Sequence, residues 1–190
     1  EQASGDVFED TFAALLIATG TRFRGEEILA AVRGSEMLPA ARVAFGPYAF
    51  QALDQIAGER VLVIGGGDNA FENARLIAQS ASVHLVVRSK PRAQTALYDA
   101  VRAAVAEGRC QLHQPARVTE FKILGSCIEA TLDDGVRLQV DRVHVLAGYE
   151  PNTQFLRDAC NGLAFDFDNQ DYLRVDDAGR TGVAGVYAAG

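Results

Sequence analysis

Arg60-Val61-Leu62-Val63-Ile64-Gly65-Gly66-Gly67-Asp68-Asn69-Ala70 is the stretch of this 190-residue chain that decides its fold. A run of strand character enters three glycines. A helical pattern over 69–80 follows, with apolar residues at Ala70, Ala74, Ile77 and Ala78. Val83-His84-Leu85-Val86-Val87 is the next apolar run of strand length. Strand, turn, helix and strand make a βαβ unit of roughly 30 residues. Gly65-x-Gly67-x-x-Ala70 fits the fingerprint G-x-G-x-x-G/A, in the strand-to-helix context that the motif requires. Gly65 permits the tight turn out of the strand. Gly67, lacking a Cβ, lets the backbone approach a pyrophosphate, and Ala70 lets the helix pack close on the strand. The N–H groups that open the helix then face the phosphates, so Gly66, Asp68 and Asn69 complete the expected cradle. The alternative is a glycine-rich turn that binds nothing.

The end of the second strand bears on which nucleotide fits. NAD-specific folds place Asp or Glu there to bind the ribose 2′-OH. This chain has Val87-Arg88-Ser89-Lys90-Pro91-Arg92 instead. Arg88, Ser89, Lys90 and Arg92 suit a 2′-phosphate, which guanidinium groups bind bidentately, so NADP is expected over NAD. A solvated basic loop is the alternative. Lys122 is the only other lysine, so the cluster stands out in a chain of net charge −7.

Outward from this unit, strand-length apolar runs alternate with helical patterns, the mark of an α/β fold. Phe12–Ala18 reads as a buried parallel strand, Glu26–Arg33 as a short helix stopped by Gly34, and Pro39 and Gly46-Pro47 as a loop or linker. Ala49–Ala57 has helical spacing, Ala93–Glu107 is a further helix, and Arg109–Gln114 a strand. From Arg117 to Val140 the pattern becomes three short alternating strands, with turns at Gly125-Ser126 and Asp133-Asp134-Gly135. This is a β-meander inserted in the α/β domain. Arg142–Leu146 and Gly185–Gly190 read as strands.

Composition narrows the function classes. At 48% hydrophobic and 23% charged residues the chain is globular rather than disordered. The acidic balance argues against nucleic acid as a partner. No apolar run reaches the roughly 18–20 residues of a membrane span, and the opening Glu1-Gln2-Ala3-Ser4 is neither basic nor apolar, so no secretory signal is expected. Cys110, Cys127 and Cys160 form no CxxC and no Cys/His cluster, so neither a disulfide framework nor a metal site is expected. They read as buried small hydrophobes in a reducing cytoplasm. His84, His113 and His144 lie far apart and read as packed histidines. Asp133-Asp134 reads as a turn, Asp166 and Asp168 as a solvated loop, and the five tyrosines show no cofactor spacing. No P-loop, Tyr-x-x-x-Lys or Gly-x-Ser-x-Gly element is present. No acid, base or nucleophile is singled out.

Four segments together resemble the thioredoxin-reductase-like flavoproteins of the two-dinucleotide-binding-domain superfamily. They are Leu15–Gly20, Val63–Glu72, Ala147-Gly148-Tyr149-Glu150-Pro151-Asn152-Thr153 and Gly185–Gly190. The resemblance implies a Rossmann-like NADPH-binding domain over 43–146. Flanks 1–42 and 147–190 would be parts of a discontinuous FAD-binding domain. It also places Thr19, Gly20 and Gly190 near the flavin and counts Gly148 among the cofactor-binding residues. Within the family's Arg-rich 2′-phosphate segment Arg88 and Arg92 are retained, while Ser89 stands for a second Arg. Disulfide reductases of the family carry a CxxC near what is here Arg42–Phe50, and this chain has no cysteine there. A thiol relay needs two neighbouring sulfurs, so the cysteine-free, ferredoxin–NADP reductase-like branch fits better. No second glycine fingerprint exists, and the chain is expected to be a fragment. The implied activity is hydride transfer from NADPH to FAD and on to an acceptor, a ferredoxin-like protein or a small molecule, in an enzyme that is commonly a homodimer. A non-catalytic NADP-sensing module, or a disulfide reductase with cysteines outside this chain, are the alternatives.

Overall fold

The computed structural model describes residues 11–47, 53–158 and 162–189. Its elements are, in order, β1 (Leu15–Ile17), β2 (Thr21–Phe23), α1 (Gly25–Ala30), β3 (Val43–Phe45), β4 (Arg60–Ile64), α2 (Asp68–Ile77), β5 (Ser82–Val86) and α3 (Thr95–Ala106). β6 (Cys110–His113), β7 (Val118–Leu124), β8 (Cys127–Leu132), β9 (Arg137–Val140), β10 (Arg142–Val145), β11 (Tyr149–Pro151), α4 (Gln154–Asp158) and β12 (Val186–Ala188) follow. Two compact units result: an inner one, Phe23–Tyr149, and an outer one, Glu1–Arg22 with Glu150–Gly190.

The inner unit is built on a five-stranded sheet in the order β3-β10-β4-β5-β6, and its neighbouring strands pair parallel. Strands buried on both faces explain why β4 and β5 read as unbroken apolar runs rather than alternating ones. Val61 and Val63 turn to the helical side, where they meet Phe71, Ala74 and Ile77 of α2 and Val101 and Ala104 of α3. Leu62 and Val86 turn to the other side. There the antiparallel sheet β7-β8-β9 covers them with Phe121, Ile128, Leu132 and Leu138. The unit therefore has three layers: helices, parallel sheet, meander. Each fully buried Leu, Phe or Ile contributes about 1.5–3 kcal/mol to holding them together. The Asp133–Gly135 turn forms as expected, with the Asp134 carboxylate accepting the Val136 N–H at 3.0 Å.

Several expectations are corrected. The helix expected over 69–80 runs from Asp68 to Ile77, because its end tightens into Gln79 N–H to Leu76 O and Ser80 N–H to Ile77 O bonds. The strand expected at Phe12–Ala18 is only Leu15–Ile17, and only Ile17 is buried, while Phe12 and Leu16 are 69% and 61% exposed. Among the described residues β1 has β12 as its one neighbour, and a two-stranded ladder covers neither of its faces. Where a linker was expected around residues 39–47, β3 pairs with β10. A three-residue edge strand leaves almost no periodic signal. Residues 23–42 also pack with the inner unit. Leu29 is buried in the meander-side cluster, and a Cβ on Gly34 (φ +77°) would lie 2.2 Å from the Phe121 carbonyl oxygen. Of the helix expected at Ala49–Ala57, Leu53–Ile56 form a 3₁₀ turn. The rest of its first half, with Tyr48, Cys160 and Gly190, lies outside the described residues.

Among the described residues no helix is long and apolar enough to cross a membrane.

Candidate nucleotide-binding site

The three glycines after β4 do three different things. A Cβ on Gly65 would stand 2.4 Å from the Leu146 carbonyl oxygen and 2.8 Å from the Ala70 Cβ. A Cβ on Gly66 would stand 2.9 Å from Val87 Cγ1. Packing against Leu146 and α2 thus demands glycine at Gly65, while at Gly66 the obstacle is the Val87 side chain just after β5. A Cβ on Gly67 would meet nothing within 4 Å. The packing makes no demand on Gly67, and the space beside it is open, as the expected cradle requires. Gly67 caps α2, and its carbonyl accepts the N–H groups of Ala70 and Phe71 at 3.0 and 3.2 Å. The preceding amides of the first turn have no intrahelical acceptor and point out of the helix end with its positive dipole. Ala70 is fully buried, as its expected packing role requires.

The cradle sits where the strand order reverses. From β4 the chain passes through α2 to β5 on one side, whereas β10 lies on the other. Such a crevice, at the carboxyl ends of the strands, is where open α/β sheets bind ligands. Gly148 (φ +96°) lies just beyond β10 on the opposite lip and accepts the Arg24 N–H at 3.1 Å. Tyr149 follows it. Its hydroxyl accepts a long hydrogen bond, 3.4 Å, from Asn69 Nδ2, and its ring stands edge-on to Phe23 at 5.4 Å. Tyr149 reaches the glycine loop without any local sequence signal except its place after a strand end.

The basic segment lies against the same loop. Arg88, Ser89, Lys90 and Arg92 are all exposed, and none makes an ion pair among the described residues. The Arg92 N–H donates to the Gly66 carbonyl at 2.7 Å. The Asp68 carboxylate accepts the Gln94 N–H at 2.7 Å and the Gln94 side-chain amide at 2.9 Å. Asp68, expected in the cradle, thus has its carboxylate on Gln94.

In the outer unit Thr19 and Gly20 border a cleft of about 140 Å³, together with Ile17, Tyr172 and Ala188. Asn152 ties it down: its N–H donates to the Gly20 carbonyl at 3.0 Å, its Nδ2 to the Thr19 carbonyl at 3.0 Å, and its carbonyl accepts the Thr19 hydroxyl at 2.9 Å. Thr153, buried, donates to the Asp171 carbonyl at 2.8 Å.

The titratable groups that stand out lie away from the cradle. His84 and His113, on neighbouring strands, face each other Nδ1 to Nε2 at 3.2 Å. Burial, then the neighbouring His113 and Arg60, pushes His84 down to about 4. Burial also lowers His113, which Asp134 partly offsets. His144 is fully buried with Nε2 2.7 Å from the Gly46 carbonyl, and burial lowers it too. Cys110 is buried and its thiol is pushed up to about 11. Cys127, expected to be buried, is half-buried with its thiol 3.3 Å from the Leu124 carbonyl. No His/Cys/Asp/Glu cluster capable of holding a metal occurs among the described residues.

A family model described as pyridine nucleotide-disulphide oxidoreductase matches residues 1–190. The chain is 29% identical over 150 residues to a ferredoxin–NADP reductase of Thermus thermophilus, covering 75% of this chain and 43% of that protein. It is 30% identical over 205 residues to a thioredoxin reductase of Vibrio cholerae, covering 98% and 59%. The thioredoxin reductase structure of T. acidophilum shares the fold, with a TM-score of 0.74 at 24% identity over 93% of this chain and 56% of that one. The chain spans about half the length of the curated relatives it matches.

Proposed function

We propose, from the premise that this chain belongs to the pyridine nucleotide-disulphide oxidoreductase family, that it is the NADPH-binding portion of an FAD-dependent oxidoreductase. One observation carries the reading. Gly67 opens onto empty space at the start of α2 and at the switch point of the sheet, while its two neighbouring glycines are explained by packing. A pyrophosphate is the group that such a cradle fits.

In this reading the amides of the first turn of α2 hold the pyrophosphate. Arg88, Ser89, Lys90 and Arg92 hold the 2′-phosphate, which favours NADP over NAD because no carboxylate stands at the end of β5 to repel it. Gly148 leaves the opposite lip of the crevice open. Thr19 and Gly20, braced by Asn152, border the place in the outer unit offered to part of an FAD. When bound, the two cofactors supply the hydride donor and its acceptor. The chain's own residues bind and orient, and none is assigned a proton. Arg42–Phe50 holds no cysteine, so a dithiol relay cannot sit there. Onward transfer to a ferredoxin-like protein or a small molecule suits this chain better than disulfide reduction.

The test is titration of the chain with NADPH and NADH, before and after Arg88→Ala. The expected result is an NADPH affinity about tenfold weaker, with NADH nearly unchanged. Equal losses for both nucleotides would sink the assignment of the basic loop to the 2′-phosphate.

A further inference from the structure

The pyrophosphate cradle and the basic loop come from different βα turns, and reading one nucleotide with both requires a fixed spacing between them. Three hydrogen bonds set that spacing. Arg92 N–H donates to the Gly66 carbonyl at 2.7 Å. Gln94 donates twice to Asp68, backbone N–H to Oδ1 at 2.7 Å and side-chain amide to Oδ2 at 2.9 Å. Gln94 also caps α3, so the Asp68 carboxylate joins the first turn of α2 to the start of α3. An acid in the first turn of α2 suits the helix dipole, yet its charge also opposes an incoming pyrophosphate. Its full engagement with Gln94 gives it another purpose.

We propose that Asp68 is a positioning residue for nucleotide specificity: it touches no phosphate itself and clamps the Arg88–Arg92 loop to the cradle. The proposal rests on the nucleotide reading above. It makes the preference for a 2′-phosphate depend on a carboxylate outside the basic loop. Carboxylate hydrogen bonds of this kind are worth enough that losing both should weaken NADPH binding about tenfold relative to NADH, the Arg92 bond remaining to limit the loss.

The experiment compares the full chain with Asp68→Ala, Asp68→Asn and Gln94→Ala. Two measurements are made: backbone amide exchange at Gln94, and calorimetric affinity for NADPH and for NADH. Asp68→Ala is expected to speed Gln94 exchange and to lower the NADPH to NADH affinity ratio about tenfold, any effect of removing its charge on the pyrophosphate being common to both nucleotides. Asp68→Asn keeps an acceptor for the backbone N–H and should fall between wild type and alanine. Gln94→Ala removes only the side-chain bond, should shift the NADPH to NADH ratio in the same direction by less, and decides the matter if Asp68→Ala does not fold. Unchanged Gln94 exchange in Asp68→Ala overturns the clamp. So does an equal change for both nucleotides, whether a gain from removing the negative charge or a loss from general loosening. If the wild-type chain binds neither nucleotide, the function reading fails with the specificity role, while the exchange data still decide whether Asp68 holds the loop.

Discussion

In Gly67→Ala the new methyl group would meet no atom within 4 Å, and the backbone there (φ −101°, ψ −178°) is one that alanine adopts freely. Alanine is a poorer helix cap than glycine, by roughly 0.5–1 kcal/mol. It also restricts the unfolded chain, which returns about 0.4–1 kcal/mol. The two nearly cancel, so folding stability should stay within about 1 kcal/mol of wild type. Gly65→Ala is the control on the same loop. Its Cβ would press on the Leu146 carbonyl oxygen at 2.4 Å and on Ala70 Cβ at 2.8 Å. These neighbours are backbone or one bond from it and cannot swing aside, so the loss should be about 3 kcal/mol, the upper part of the overpacking range. The nucleotide reverses the order of interest. A methyl group in the cradle displaces a pyrophosphate from the amides of α2, and losing one charge-assisted bond of about 1.5–3 kcal/mol weakens NADPH tenfold or more. Urea unfolding followed by circular dichroism gives the stabilities, and calorimetric titration of folded Gly67→Ala gives the affinity. If Gly67→Ala is as unstable as Gly65→Ala, or binds NADPH like wild type, the separation of packing glycines from the binding glycine is wrong.

Other outcomes follow from the same structure. His84, held down to about 4, and His113, lowered with it, take up protons more readily unfolded, where an imidazole titrates near roughly 6.5. Stability should therefore be fully present above about pH 6.5 and fall as pH drops toward 4, and His84→Leu should flatten that part of the urea-midpoint profile. Phe71, fully buried between helix and sheet, should cost about 3–5 kcal/mol when replaced by alanine, read from the same midpoints. Asp141 grips Arg60 through both carboxylate oxygens and takes the Arg60 N–H as well. Because the pair is partly exposed, Asp141→Ala should cost only about 1–2 kcal/mol. Iodoacetamide at pH 8 should alkylate Cys127 well before buried Cys110, as peptide mass mapping will show.

What the chain reveals of itself before folding depends on how local the signal is. β4, α2 and β5 are legible because burial on both faces leaves an unbroken apolar run and an amphipathic helix leaves its 3–4 spacing. The meander is legible from its turns. β3 is not, because three residues at a sheet edge carry no period. β1 misleads, since Leu15 and Leu16 are apolar yet have no layer over them within the described residues. At the site, the glycine motif is visible in sequence but its division of labour is not. Gly65 is defined by Leu146 and Gly66 by Val87, both brought in by the sheet. The meeting of His84 with His113 follows from strand register and the Asp68–Gln94 bonds from the packing of neighbouring βα turns, neither of which any spacing along the chain announces.

The insertion of one unit within another has a kinetic side. β1 and β12 pair across nearly the full length of the chain, a contact whose formation from an open coil is slow. The inner unit removes that distance. Phe23 and Tyr149, its first and last residues, rest ring to ring at 5.4 Å. Once Phe23–Tyr149 has folded, the two halves of the outer unit are joined by what is, in entropic terms, a short turn. Pairing of β1 with β12 then becomes a local event, so the inner unit should fold first and template the outer one.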